Sequence, residues 1–158
     1  MITTRMALVG LLPIAAMALP IAAHAQADCQ GPKSDTSIEV TVSGLREAKG
    51  QVAVTLYADD SSRFLVKRGS MYSGRVTAVA PVTKMCLYVP KPGVYALAVY
   101  HDANANQKFD RGGLIGLPIE AYGFSNNPPT FVSLPSFRSV RLDIARSGMV
   151  TSIKLKYP

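Results

Sequence analysis

Tyr95 to Asn127 reads YALAVYHDANANQKFDRGGLIGLPIEAYGFSNN, and its first eight residues decide the fold class. Tyr95, Leu97, Val99 and His101 fall on one face of an extended chain and Ala96, Ala98 and Tyr100 on the other. Both faces are largely apolar, so the stretch predicts a central strand covered on two sides. The run then breaks into a loop with side-chain oxygens at Asp102, Asn104, Asn106 and Asp110.

Working outward toward the N-terminus, Ile38, Val40 and Val42 alternate with Glu39, Thr41 and Ser43, and Val52, Val54 and Leu56 repeat the pattern after Gly44 to Gly50. Period-two alternation predicts half-buried strands, and the two are expected to pair antiparallel across that turn. Asp59 to Ser62 offers a helix N-cap for one short turn through Phe64, Leu65 and Val66. Further strands are expected over about Ser73 to Val79 and through Met85, Leu87 and Val89, with Cys86 on the outer face. Toward the C-terminus, Val140, Leu142 and Ile144 predict one strand and Ile153, Leu155 and Tyr157 another, closing the chain as a pair. The expectation is all-β: a seven-stranded antiparallel β-sandwich with one long metal-loop insertion between Asp102 and about Ser136. A structureless connection beyond about 15 residues is unusual unless something orders it.

The N-terminus supplies Arg5, an apolar run from Met6 to Ala22, and Ala23-His24-Ala25, the pattern of a signal peptide over residues 1–25. Residues 26–158 are then a single exported domain, periplasmic or secreted. Its two cysteines, Cys29 and Cys86, are expected to form a disulfide in that oxidising compartment, contributing up to about 4 kcal/mol. The formal charge of +7 falls by one when Arg5 leaves with the leader. Lys and Arg are dispersed, the longest run being Lys67-Arg68, and no aromatics interleave them. Nucleic acid is therefore not an expected partner, whereas a weak contact with an anionic surface is compatible.

Loops of the form D-x-[DN]-x-[DN]-x-x-x-D hold calcium through positions one, three, five and nine and the carbonyl of seven. Here these are Asp102, Asn104, Asn106, Asp110 and the carbonyl of Lys108, with Glu120 as the candidate bidentate ligand. Position six, where glycine normally turns the loop, is Gln107. Such a set predicts a weak structural site, on the order of 10⁻⁴ to 10⁻³ M. His101, Tyr122, Phe124, Asn126 and Asn127 form a candidate binding surface for an envelope protein or glycan, combining aromatic faces with amides. The competing reading is a metal-assisted hydrolase using Asp102, Asp110 and Glu120. A Ser125–His101–Asp102 triad is disfavoured, because neighbouring strand residues point to opposite faces.

His101-Asp102-x-Asn104-x-Asn106-x-Lys108-x-Asp110, followed by Gly116-x-Pro118-x-Glu120-x-Tyr122-Gly123-Phe124-Ser125-Asn126-Asn127, resembles the signature of a bacterial exported family known only as a domain of unknown function. Pro128-Pro129-x-Phe131 and the closing strands extend the likeness. The resemblance implies a prealbumin-like or immunoglobulin-like sandwich and no established activity. The family usually carries glycine where this chain has Gln107.

Overall fold

A computed structural model of the chain describes residues 28–130 and 133–158, so the expected leader lies outside the described residues. In chain order the elements are β1 (Thr36–Ser43), β2 (Gln51–Ala58), β3 (Tyr72–Thr77), β4 (Val82–Val89), β5 (Gly93–Asp102), β6 (Arg111–Gly112), β7 (Leu117–Pro118), β8 (Tyr122–Phe124), α1 (Phe137–Val140), β9 (Leu142–Ile144) and β10 (Met149–Lys154). The molecule is mostly strand with almost no helix, arranged in three sheets. One has the order β10-β1-β4, a second β3-β2-β5-β8 with β9 also on β5, and β6 pairs with β7.

The alternating apolar rows face inward. Ile38, Val40 and Val42 of β1 and Leu87 and Val89 of β4 meet Val52, Val54 and Leu56 of β2 and Leu97 and Val99 of β5 in one core, closed by Ile144 and Ile153. A second, smaller cluster lies on the opposite face of β2 and β5, where Tyr57 and Ala96 pack with Phe64, Phe124, Phe137 and Val140. β5 is central, with β2 on one edge and β8 and β9 sharing the other.

Several expectations are corrected. β1 and β2 do not pair: β1 bonds to β4 and β10, and β2 to β3 and β5. Two strands with equivalent apolar rows can bury them edge to edge or face to face. The Gly44–Gly50 connection takes the second course, with buried Leu45 tucked into the core and the Gly44 and Leu45 amides donating to the Pro81 carbonyl. Nor are all pairs antiparallel, since β10 lies parallel to β1. The last two strands likewise separate, β9 going to β5 and β10 to β1.

Val140 belongs to α1, where it and Phe137 bury against the second cluster. The segment after Asp59 makes turns rather than a helical turn. Asp60 Oδ1 accepts from the Ser62 amide and hydroxyl, and Leu65 and Arg68 take positive φ of 57° and 59°, which a right-handed helix does not admit. Ten strands form among the described residues, three more than expected, because β6, β7 and β8 lie inside the supposed structureless insertion.

The disulfide joins Cys29 to Cys86 as expected. Gln30 lies along β4, donating to the Cys86 carbonyl and accepting from the Tyr88 amide. The lead-in thus lies along the free edge of β4 through one parallel bridge, and Cys86 takes the side of that strand opposite to the core row Met85, Leu87 and Val89.

Candidate functional site

The site grows from the C-terminal end of β5. Asp102 is fully buried and spends both carboxylate oxygens on its own loop: Oδ1 accepts from the Asn106 amide at 3.0 Å and Oδ2 from the Gln107 amide at 2.8 Å. Gly50 faces it on β2's approach at φ +68°, where an added Cβ would collide with the Asp102 carbonyl oxygen. Glycine is therefore required beside the site.

The remaining loop oxygens continue the pattern. Asn104 Oδ1 accepts from the Asn106 amide at 3.1 Å and Asn106 Oδ1 from the Lys108 amide at 2.8 Å. The Nδ2 groups of Asn104 and Asn106 both donate to Asp110 Oδ2 at 2.8 Å. Those two bonds, Asn106 first, hold the Asp110 carboxyl below its usual range. The Asp110 amide in turn donates to Glu120 Oε2 at 2.9 Å. Glu120 is buried, its Oε1 has no hydrogen-bond partner among the described residues, and desolvation pushes its carboxyl up. Gln107 adopts φ +63° without being glycine, so the turn that glycine would supply is made at a conformational cost of about 1 kcal/mol.

Asp102, Asn104, Asn106, Asp110 and Glu120 are thus linked through one loop. Among the described residues no three carboxylate, imidazole or thiolate groups stand together as a metal cage. An ion bound here would have to draw on amide and carbonyl oxygens as well, which is the donor mixture a hard cation such as calcium accepts.

The binding-surface residues divide. Tyr122 and Phe124 stand on the outer face of β8, rings 5.9 Å apart. Asn126 and Asn127 do not join them, because their amides are occupied in pinning backbone. Asn126 Nδ2 donates to the Arg141 carbonyl at 2.7 Å, while Asn127 donates to the Ser152 carbonyl and accepts from the Lys154 amide. His101 points away into the molecule, with Nε2 2.7 Å from the Lys49 carbonyl oxygen and Nδ1 3.4 Å from the Tyr157 hydroxyl. Ser125 sits opposite Leu97, four residues up β5 from His101, roughly 13 Å along the strand. No triad forms.

What joins Tyr122 and Phe124 is a set the motif conceals. Phe109, between Lys108 and Asp110 in the loop, packs its ring 5.4 Å from Tyr100 and 5.9 Å from Tyr122. The Arg111 guanidinium lies 5.4 Å from the Phe109 ring centre. Arg75 of β3 donates to the Tyr100 hydroxyl at 2.7 Å and to the Gln107 carbonyl at 3.0 Å, tying loop to sheet. Tyr57, Tyr100, Phe109, Arg111, Tyr122 and Phe124 border a cleft of about 200 Å³ on the outer face of β2, β5 and β8. The sequence held a partial signal: Tyr100, Tyr122 and Phe124 each stand on the non-core side of their strands. Nothing in it placed Arg75 beside a loop 32 residues away.

A comparison with curated proteins found no match, and neither did one with solved structures. The family model described as "uncharacterized protein conserved in bacteria (DUF2141)" matches residues 40–152, which take in the core strands, the loop and the aromatic cleft, and the chain belongs to that family.

Proposed function

We propose that the chain is an exported binding module of the periplasm or cell exterior, a prealbumin-like or immunoglobulin-like β-sandwich whose loop from Asp102 to Asp110 takes calcium and whose aromatic cleft is the recognition surface. One observation carries this reading. Phe109 belongs to the loop yet packs between Tyr100 and Tyr122, so the order of the loop and the shape of the cleft are one variable.

Calcium is supported by the donors. The side-chain amides of Asn104 and Asn106 both address Asp110, so three of the candidate ligands share one place in the loop. The asparagine Oδ1 atoms, which accept from the Asn106 and Lys108 amides, and Oε1 of buried Glu120, which has no hydrogen-bond partner among the described residues, are neutral and anionic oxygens of the same linked set. Two or three carboxylates with neutral oxygens correspond to weak affinity, on the order of 10⁻⁴ to 10⁻³ M. Export is supported by the Cys29–Cys86 disulfide, a linkage of oxidising compartments, and by the leader pattern of residues 1–25.

The rings meet at interplanar angles of 59° to 76°, so they make a walled pit rather than a flat platform for a sugar face. An apolar side chain presented by an envelope protein suits that shape better than a glycan. The hydrolase reading is weaker, since Asp102 has both oxygens committed to loop amides and His101 is held by Lys49 and Tyr157. Thermal unfolding tests the choice. Millimolar calcium raises the midpoint of the parent and not of Asp102→Ala or Asp110→Ala, with no turnover on ester, glycoside or phosphate panels. Turnover that Glu120→Gln abolishes while stability stays intact would establish the hydrolase instead.

A further inference from the structure

The β6–β7 hairpin carries aliphatic side chains that the described residues leave exposed. Leu114 is 107 % exposed, Ile115 80 %, Ile119 62 % and Leu117 59 %. Among the described residues, nothing lies within 4 Å of the positions a side chain would take at Gly113 or Gly116, while Ile115 and Leu117 border a hollow shared with Tyr122, Ser133 and Leu134. Isolated exposed aliphatics are ordinary, but four branched ones within six residues on a projecting hairpin mark a surface awaiting an apolar phase.

We propose that this hairpin inserts into the interfacial layer of a bilayer containing anionic lipid. The shape argues for lipid. A convex, narrow tip held by two register pairs needs a preformed socket in a protein partner, whereas acyl chains close around it. Leu114 and Ile115 extend about two residues beyond β6 and β7, roughly 7 Å, which matches the depth of about 5–10 Å at which interfacial segments sit, and Leu117 and Ile119 follow on the returning arm toward the base.

Charge agrees. Lys108 and Arg111 stand exposed at the hairpin base in a chain of formal charge +7. The neighbouring carboxylates face inward or are engaged: Asp102 and Glu120 are buried, and Asp110 is bonded by Asn104 and Asn106. The base of the tip therefore offers cations to phosphate headgroups, each contributing through attraction that salt weakens. This contact needs neither an ion in the loop nor a ligand in the cleft.

The chain has no tryptophan, so Ile115→Trp makes the tip its own reporter, separate from the apolar N-terminal run. With vesicles of equal parts phosphatidylethanolamine and phosphatidylglycerol, its emission shifts to the blue and is quenched by lipids brominated in their acyl chains. Val150→Trp, an exposed site on β10, shows neither change. Adding Leu114→Ser to the tip reporter weakens partitioning about tenfold and leaves the thermal midpoint in place, since Leu114 is fully exposed. Equal quenching at both tryptophans, an unshifted tip, or a blue shift that grows with protein concentration in the absence of lipid would overturn the proposal, the last by naming a second copy as the occupant.

Discussion

The two ends of β5 are held by different physics. From Tyr95 to Val99 the strand is fixed by burial, with Leu97 and Val99 sharing a core to which β1, β2, β4, β9 and β10 all contribute. From Asp102 to Asp110 the chain is fixed by directed hydrogen bonds, in which the Asn106 amide is shared by Asp102 and Asn104 and Asp110 Oδ2 collects both asparagine Nδ2 groups. Burial is redundant and tolerant of small shifts, while a hydrogen-bonded loop fails at a single atom. The difference teaches where this protein tolerates change and where the proposed ion would act.

Four substitutions and one titration probe that contrast. Leu97→Ala opens a cavity in the main core and should lower unfolding free energy by about 4 kcal/mol, equally with and without calcium. Denaturant titration in both conditions checks it, and a calcium-dependent loss would mean that the two ends are coupled. Gly50→Ala, strained at φ +68° and driven against the Asp102 carbonyl, should cost about 3 kcal/mol by the same measurement and disturb the loop as well.

Asp102→Ala removes the acceptor for two amides and should cost about 2 kcal/mol, together with any calcium response. Its thermal midpoint with and without the ion separates the two losses. Phe109→Ala should cost about 1 kcal/mol through its edge contacts with Tyr100 and Tyr122 and, on the proposed reading, should reduce the calcium-dependent gain in stability because it uncouples loop from cleft. Denaturant titration with and without millimolar calcium reads both.

The smallest effect is a titration on the burial side. Tyr72 packs against the main core and donates its hydroxyl to the Tyr88 carbonyl, and burial pushes its phenol up to about 12. A folded-state pKa above the unfolded value near 10 means that the native state holds the proton more tightly. The stability this adds is fully present below pH 10 and is lost as pH rises through about 12. Chemical denaturation between these limits should show a steeper decline for the parent than for Tyr72→Phe.

Strand identity was legible because burial leaves a period in the chain. Ile38-x-Val40-x-Val42 and Val52-x-Val54-x-Leu56 can hardly be other than strands, and the two apolar faces of Tyr95 to His101 put β5 at the centre of its sheet. Strand partners were not legible, because equivalent rows on β1 and β2 satisfy edge pairing and face packing alike. Val140 read as strand for a similar reason: it is buried in a cluster with Tyr57, Phe64 and Ala96, far back in the chain, which no local period reveals. Within the candidate site, the loop spacing identified Asp102 and Asp110 but treated Phe109 as a filler position.

The amino-acid order alone determined an all-β chain, the location of its polar loop, and the pairing of Cys29 with Cys86, since each rests on local periodicity, local chemistry or a count of two. Only the tertiary structure decided that β10 runs parallel to β1, that the amides of Asn126 and Asn127 are spent on backbone, and that Phe109 and Arg75 tie the loop to an aromatic cleft. Those facts depend on which distant groups arrive at the same place. That is settled by the competition among many burial and hydrogen-bond energies at once and leaves no signature in any single stretch.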